Sequence, residues 1–190
     1  MKTRIVIVLI AGCLLFPLLN PIDAAALDIP RGKQTVLGLY ITAREACEQW
    51  QENQNGIQIL DVRTPEEYIF VGHAPMARNI PVGLVNQRQT AERKKLAMEA
   101  NPNFLAGVKR YYRPGDKIFV MCRSGGRSAG AVNLLAQAGY KKVYNVIDGF
   151  EGDSVKDKNS YFNGKRVKNG WKNSGAPWTY TLDPQLMYAD

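Results

Sequence analysis

Cysteine and histidine are scarce in this chain of 190 residues, which contains three cysteines and one histidine. Three cysteines are too few for a disulfide framework. Cys47 and Cys122, together with His73, also cannot form an ordinary zinc cluster, so we expect no metal site. Internal repeats and low-complexity segments are absent as well. This leaves one globular domain with a sizeable core as the expectation for a chain of this length.

Apolar runs of transmembrane length are also lacking. The run at residues 5–19 falls short of the roughly 20 residues that span a bilayer. It follows a short basic start and precedes small residues at 24–26, which is typical of a secretory signal peptide at residues 1–26. We therefore expect an exported protein, periplasmic or secreted, with cleavage after Ala26. A second interpretation stays open, in which Cys13 carries a lipid and anchors the protein to a membrane.

A basic stripe interleaved with aromatic residues is missing, although the net charge is +8. The basic residues are scattered, with small clusters at residues 93–95 and 165–168. Nucleic-acid-binding domains concentrate their positive charge on one surface. We therefore expect no nucleic-acid partner, and we expect the charge to attract small anions.

Strand-like and helix-like segments alternate along the chain. Thr42 and Glu45 have the spacing of a capping box, and the helix that they start would bury Cys47 on its apolar face. We interpret Cys47 as a core residue. Because strands that alternate with helices form parallel sheets, we predict an α/β fold with a mostly parallel sheet and helices on both faces. The expected strands lie at residues 57–62, 77–81, 117–121 and 143–147, and residues 83–112 read as polar and helix-prone.

A short loop at a strand end carries the strongest chemical signal. Cys122 follows the apolar residues 117–121, and a helix-like segment begins at residue 128. Loop N–H groups, a helix start and nearby arginines all favour negative charge, and the thiolate is the nucleophilic form of cysteine. We therefore predict that Cys122 is a nucleophile at the carboxyl edge of the sheet. The candidate substrate-binding residues of the loop are Arg123, Ser124, Gly125, Gly126, Arg127 and Ser128.

Three sequence blocks, taken in order, resemble the rhodanese family of sulfurtransferases. Asp61 begins the first block, the loop after Cys122 forms the second, and the segment at 143–152 begins the third. The resemblance covers most of the chain after the leader and implies a single rhodanese-like domain. The expected segments are a lead-in at residues 27–35, the domain at 36–182 and a C-terminal tail at 183–190.

Rhodaneses move a sulfane sulfur from a donor such as thiosulfate to an acceptor such as cyanide or a thiol. The resemblance implies that Cys122 attacks a small anionic donor and carries the sulfur as a persulfide, without any cofactor. It also implies that Arg127 closes the loop and that Arg123 tunes the binding of anions. The supporting residues are Asp61, which is expected under the loop, Arg63, and Glu67, a candidate partner for a loop arginine.

Two other functions stay open. One is a persulfide carrier that delivers sulfur to a dedicated protein acceptor, with little turnover of small molecules. The other is a phosphatase of the same fold, but that branch has five residues between cysteine and arginine. Here four residues separate Cys122 from Arg127, and Ser128 occupies the position of that arginine. Residues 83–112 and 153–169 depart from the family pattern and are candidates to cover or shape the mouth of the site.

Several other conspicuous residues have structural interpretations. His73 lies in a segment that predicts a turn, and we favour a structural role over a role as general base for Cys122. We interpret the aromatic residues Trp171 and Trp178 as packing residues.

Overall fold

The computed structural model describes residues 28–94 and 96–189. The predicted signal peptide at residues 1–26, with its cleavage after Ala26 and the alternative lipidation of Cys13, lies outside the described residues. Among the helices of the described part, none combines the length and the apolar character that a membrane span requires.

Five parallel strands form the main sheet, as the alternating pattern predicted. They pair in the spatial order β1-β7-β6-β2-β3, while β4 and β5 form a separate antiparallel pair. The register sets Asp61, the last residue of β2, opposite Met121, the last residue of β6, so both strands end at one edge of the sheet. In chain order the strands are β1 (Tyr40–Ile41), β2 (Ile57–Asp61), β3 (Arg78–Asn79), β4 (Gly83–Val85), β5 (Met98–Ala100), β6 (Lys117–Met121) and β7 (Val143–Val146).

Local capping signals position the helices next to the strands. Thr42 and Glu45 form the predicted capping box, and Thr64 and Glu67 form a second one at the next helix. Each box satisfies backbone N–H groups that have no partner within the helix. The helices are α1 (Ala43–Glu52), α2 (Pro65–Phe70), α3 (Gln87–Arg93), α4 (Phe104–Tyr111) and α5 (Gly126–Gln137), with short 3-10 helices at Arg31–Lys33 and Trp171–Asn173.

Alternating side chains of β6 separate two buried cores, one on each face of the sheet. Phe119 and Met121 belong to the core that contains residues of α1, including Cys47, which confirms the interpretation of Cys47 as a core residue. Val120 belongs to the opposite core, with residues of α4 and α5. Cys122 continues this second set, so its side chain lies on the face that α5 covers. The predicted arrangement of helices on both faces is confirmed.

The interpretation of residues 83–112 as a helix-prone stretch is only partly correct. α3 and α4 are helical, but β4 and β5 pair as an antiparallel ribbon, with Val85 opposite Met98. The Thr90 hydroxyl accepts a hydrogen bond from the N–H of Ala97 at 3.0 Å, which ties α3 to the ribbon. Strand pairing between segments separated by a helix is a tertiary effect, and local polarity does not reveal it.

Contacts reach beyond residues 36–182 at both ends. The carbonyl of Lys33 accepts a hydrogen bond from the Asn145 side chain at 2.9 Å, and the carbonyl of Leu186 accepts one from the N–H of Asn79 at 2.8 Å. The lead-in and tail segments are therefore attached to the sheet, and the domain limits at residues 36–182 stay a prediction.

Candidate active site

The predicted nucleophile, Cys122, lies between the end of β6 and the start of α5. Its side chain is 1% exposed. The Sγ atom lies 3.4 Å from the hydroxyl oxygen of Ser128, which belongs to the first turn of α5. The thiol is therefore buried beside the first turn of α5.

The loop presents a row of backbone donors that the protein leaves free. In the part of the chain that the structure describes, the N–H groups of residues 123–128 donate to no protein acceptor. Gly125 has the left-handed conformation, with φ of 93°, immediately before α5 begins. Successive free N–H groups around such a residue form a nest for anions, and the helix start adds partial positive charge. The loop residues that the sequence predicted therefore present free N–H groups close to Cys122, an arrangement that suits an anion.

Two glycines allow the loop to pack directly on the backbone that follows β7. A Cβ atom at Gly125 would lie 2.1 Å from the carbonyl oxygen of Ile147, and one at Gly149 would lie 2.5 Å from the carbonyl oxygen of Cys122. That carbonyl accepts a hydrogen bond from the N–H of Phe150 at 2.7 Å. No residue with a side chain fits at either glycine, so the shape of the loop depends on both.

Arg127 is held by Glu67, the partner that the sequence suggested for a loop arginine. Two hydrogen bonds of 2.6 Å join the guanidinium to the two carboxylate oxygens, and both side chains are mostly buried. Burial alone would raise the pKa of Glu67, but the hydrogen bond and charge of Arg127 outweigh it, so the pKa is lowered. The Sδ atom of Met98, in β5, lies 3.8 Å from the Arg127 guanidinium. The ribbon of β4 and β5 therefore borders the site.

Asp61 and Arg63 form a buried ion pair below the loop. The Arg63 guanidinium donates to the Asp61 carboxylate at 2.6 Å, and both side chains are fully buried. The same guanidinium donates to the carbonyl of Gly72 and lies 4.0 Å from the ring centroid of Phe150. Within the described residues, neither side chain is hydrogen-bonded to the cysteine loop. The pair therefore contacts the loop indirectly, through Phe150, whose N–H donates to the carbonyl of Cys122.

His73 takes a structural position, as predicted. Its ring stacks on Tyr68 with a centroid distance of 3.9 Å, and its nitrogens lie 3.1 Å and 3.2 Å from the carbonyl oxygens of Tyr68 and Thr181. Both nitrogens thus face backbone carbonyls, and within the described residues no hydrogen bond joins the ring to Cys122. Trp171, predicted to be a packing residue, is fully buried in the core next to α1.

The sequence analysis missed Asn145, which supports the loop from β7. Its amide nitrogen donates to the carbonyls of Gly125 and Lys33 at 3.1 Å and 2.9 Å. Its oxygen lies 2.6 Å from the Ser128 hydroxyl, the group next to Cys122 Sγ. Asn145 therefore fixes the start of α5 relative to the sheet. An amide in the middle of a buried strand is the sequence signal that could have revealed it.

We expect Asn145→Asp to destabilise the protein by about 2 kcal/mol, because a carboxylate oxygen replaces the nitrogen that donates to two backbone carbonyls. Urea denaturation measures the loss. Asn133→Asp is the matched control, since only its oxygen is used, as the acceptor for the N–H of Val36. We expect that control to change stability by about 0.5 kcal/mol or less. Equal losses in the two variants would contradict this role of Asn145.

Comparison with known proteins agrees with this geometry. A family model of the rhodanese-like domain matches residues 44–155. Thiosulfate sulfurtransferase 16, chloroplastic, of Arabidopsis thaliana is 39% identical over 95 residues, which cover 50% of this chain and 72% of that protein. The putative sulfur carrier protein YrkF of Bacillus subtilis (strain 168) is 35% identical over 105 residues, which cover 55% of this chain and 45% of that protein.

A solved structure extends the likeness to most of the fold. The crystal structure of Rv0390 from M. tuberculosis has a TM-score of 0.57 and 29% sequence identity to this chain, and the match covers 74% of this chain and 96% of that one. The chain therefore belongs to the rhodanese-like domain family, as its three sequence blocks predicted.

Proposed function

We propose that this protein is a sulfurtransferase that moves a sulfane sulfur from thiosulfate or a similar anionic donor to cyanide or a thiol. A persulfide on Cys122 carries the sulfur between the two substrates. The observation behind this proposal is a buried thiol next to a row of free N–H groups and the Arg127 guanidinium. The name of the Arabidopsis thaliana relative supports thiosulfate as the donor.

In the first half-reaction, the Cys122 thiolate attacks the outer sulfur of thiosulfate. A sulfur–sulfur bond forms at Sγ, the sulfur–sulfur bond of thiosulfate breaks, and sulfite leaves with the bonding electron pair. The negative charge stays close to the loop throughout this step. The free N–H groups of residues 123–128 and the charge of Arg127, which interacts with that of Cys122, stabilise it.

In the second half-reaction, the acceptor attacks the outer sulfur of the persulfide. The sulfur–sulfur bond breaks, and its electron pair returns to Sγ as the thiolate. Cyanide leaves as thiocyanate, and a thiol leaves as a persulfide. Atoms and electrons balance in both half-reactions without an added oxidant or reductant, which makes this covalent catalysis in two steps.

We also propose that the protein acts after export. This proposal is supported by the basic start, the apolar run and the small residues in positions 1–26. Intact mass of the protein from its native compartment tests it. A chain that begins at Leu27 supports export with cleavage after Ala26, a lipidated Cys13 supports the membrane anchor, and a full-length chain contradicts both.

Incubation with thiosulfate tests the sulfurtransferase directly. We expect intact mass to increase by one sulfur atom, and we expect cyanide to remove that atom with many turnovers per chain. Protein alkylated beforehand at Cys122 is the control and should gain no sulfur. A stable adduct without turnover would instead favour a persulfide carrier, and the Bacillus subtilis relative is named a putative sulfur carrier protein. Absence of any adduct would contradict both functions.

A further inference from the structure

Residues 153–169, which interrupt the family pattern, fold back on themselves as a hairpin. The N–H of Val155 donates to the carbonyl of Lys165 at 2.9 Å, which joins the two arms. At the base, the N–H of Gly152 donates to the carbonyl of Arg123 at 3.3 Å. The hairpin is therefore attached to the body of the domain through its base.

Two aromatic side chains extend into solvent at the tip of this hairpin. Tyr161 is 83% exposed and Phe162 is 47% exposed, and their rings meet edge to face with a centroid distance of 5.3 Å. The Nζ atom of Lys165 lies 4.4 Å from the centroid of the Tyr161 ring, so an ammonium group lies against the aromatic pair. Exposed apolar surface is unfavourable in water, and a ligand that covers both rings gains free energy.

The backbone of the tip pairs several of its N–H groups internally. The N–H of Asn163 donates to the carbonyl of Ser160 at 2.9 Å, and the N–H of Lys165 donates to the carbonyl of Phe162 at 2.8 Å. The N–H of Phe162 donates to the Ser160 hydroxyl at 3.1 Å. Because these groups need no water as a partner, the turn can enter a less polar environment at a reduced cost in free energy.

Positive charge surrounds the two rings. The cationic side chains of the hairpin are Lys156, Lys158, Lys165, Arg166 and Lys168, and the acidic ones are Asp153 and Asp157. Asp153 pairs with Lys33 of the lead-in segment at 2.8 Å. Within the residues that the structure describes, none of the hairpin cations forms an ion pair with a carboxylate. Their charge is therefore available to an anionic surface.

We propose that the tip of the hairpin binds the surface of a membrane that contains anionic lipids. Tyr161 and Phe162 enter the headgroup region, where aromatic side chains are favoured, and the surrounding cations contact the lipid phosphates. A protein partner fits less well, because stable interfaces bury about 800 Å² on each side, whereas two rings on a protruding turn offer a small contact. Membrane binding of this kind is independent of sulfur transfer.

The lead-in segment joins the fold on the same side as the base of the hairpin. Asp28 and Pro30 line one cavity together with Asp153 and Lys168. In the interpretation with a lipid on Cys13, the chain therefore enters the fold next to the hairpin. The lipid and the hairpin tip would then act on one membrane, and two weak contacts together give a more stable attachment than either alone.

Vesicle co-sedimentation tests this inference with a chain that begins at Leu27. Every contact described above lies after that residue, and the apolar run at residues 5–19 would partition into lipid whatever the hairpin does. We expect binding to vesicles of equal parts phosphatidylglycerol and phosphatidylcholine, and at least about tenfold weaker partition onto phosphatidylcholine alone.

Two variants separate the contribution of the rings from that of the charge. Tyr161→Ser/Phe162→Ser should weaken partition onto the anionic vesicles about thirtyfold, because two aromatic rings no longer leave water. Lys156→Gln/Lys158→Gln should weaken it about tenfold on the anionic vesicles and leave partition onto phosphatidylcholine unchanged.

Phe70→Ser/Tyr111→Ser is the matched control, because it removes one exposed phenylalanine and one exposed tyrosine on α2 and α4, outside the hairpin. It should leave partition unchanged, and an equal loss in this variant would overturn the inference by showing adsorption through any exposed ring. Absence of binding, equal partition onto the two kinds of vesicle, or unchanged partition of Tyr161→Ser/Phe162→Ser would overturn it as well. Incubation with thiosulfate tests the proposed function separately.

Discussion

Replacing Cys122 with serine is expected to abolish sulfur transfer, with a loss of at least about 10⁴-fold in rate. A serine hydroxyl is a poor nucleophile at neutral pH and cannot carry sulfur as a persulfide. The substitution is nearly isosteric, and the new hydroxyl can still hydrogen-bond to Ser128, so the fold should be retained. Thiocyanate formation and intact mass after thiosulfate treatment measure the loss.

Cys47→Ala is the control for this substitution, because Cys47 is the other cysteine of the described residues and lies in the core next to α1. We expect full sulfur transfer and a loss of stability of about 1 kcal/mol from the smaller side chain. Sulfur transfer that survives in Cys122→Ser, or that disappears in Cys47→Ala, would contradict the assignment of the nucleophile.

The parts of the fold that were predicted correctly have local causes. Thr42 and Glu45, which lie within four residues of each other, accept hydrogen bonds from backbone N–H groups at the start of α1. The apolar run at 117–121 is long enough to identify β6 as a buried strand. The position of Cys122 at the carboxyl edge then follows from the parallel order of the sheet. The fold class and the position of Cys122 in the fold could therefore both be predicted from the sequence.

The parts that were not predicted depend on contacts between distant segments. Asn145 bonds to Gly125 and to Lys33, which lie 20 and 112 positions away, and no short-range pattern encodes such a pair. The ribbon of β4 and β5 has the same origin. Asp61 was expected under the loop by resemblance, and only the structure shows that its carboxylate is bound by Arg63.

The substitution Glu67→Gln tests the ion pair that holds Arg127. Glutamine preserves the size of the side chain and the capping of α2, but it leaves a mostly buried guanidinium without a counter-charge. We expect a loss of about 3 kcal/mol in unfolding free energy, since breaking a buried pair from one side leaves an uncompensated charge. We also expect kcat/KM to fall about tenfold, because Arg127 is no longer held beside Cys122. Urea denaturation and thiocyanate formation measure the two effects.

The pH dependence of this loss gives a further test of the same pair. The pKa of Glu67 is lowered in the folded protein, where the bonds to Arg127 outweigh burial, from about 4.3 in the unfolded chain. Its contribution to stability is therefore fully present above about pH 4.3 and is lost as the pH falls through the folded pKa. The difference between the unaltered protein and Glu67→Gln should be constant at neutral pH and should shrink in acid.

Glu66→Gln is the matched control, because Glu66 lies beside Glu67 on the first turn of α2 but is exposed. It should cost about 0.5 kcal/mol or less at any pH. A Glu67→Gln difference that persists undiminished in acid would contradict the ion pair as its source, because a protonated Glu67 and a glutamine are equally neutral toward Arg127. A difference that shrinks in acid while Glu66→Gln stays near zero assigns the stability to the charge that Glu67 presents to the loop arginine.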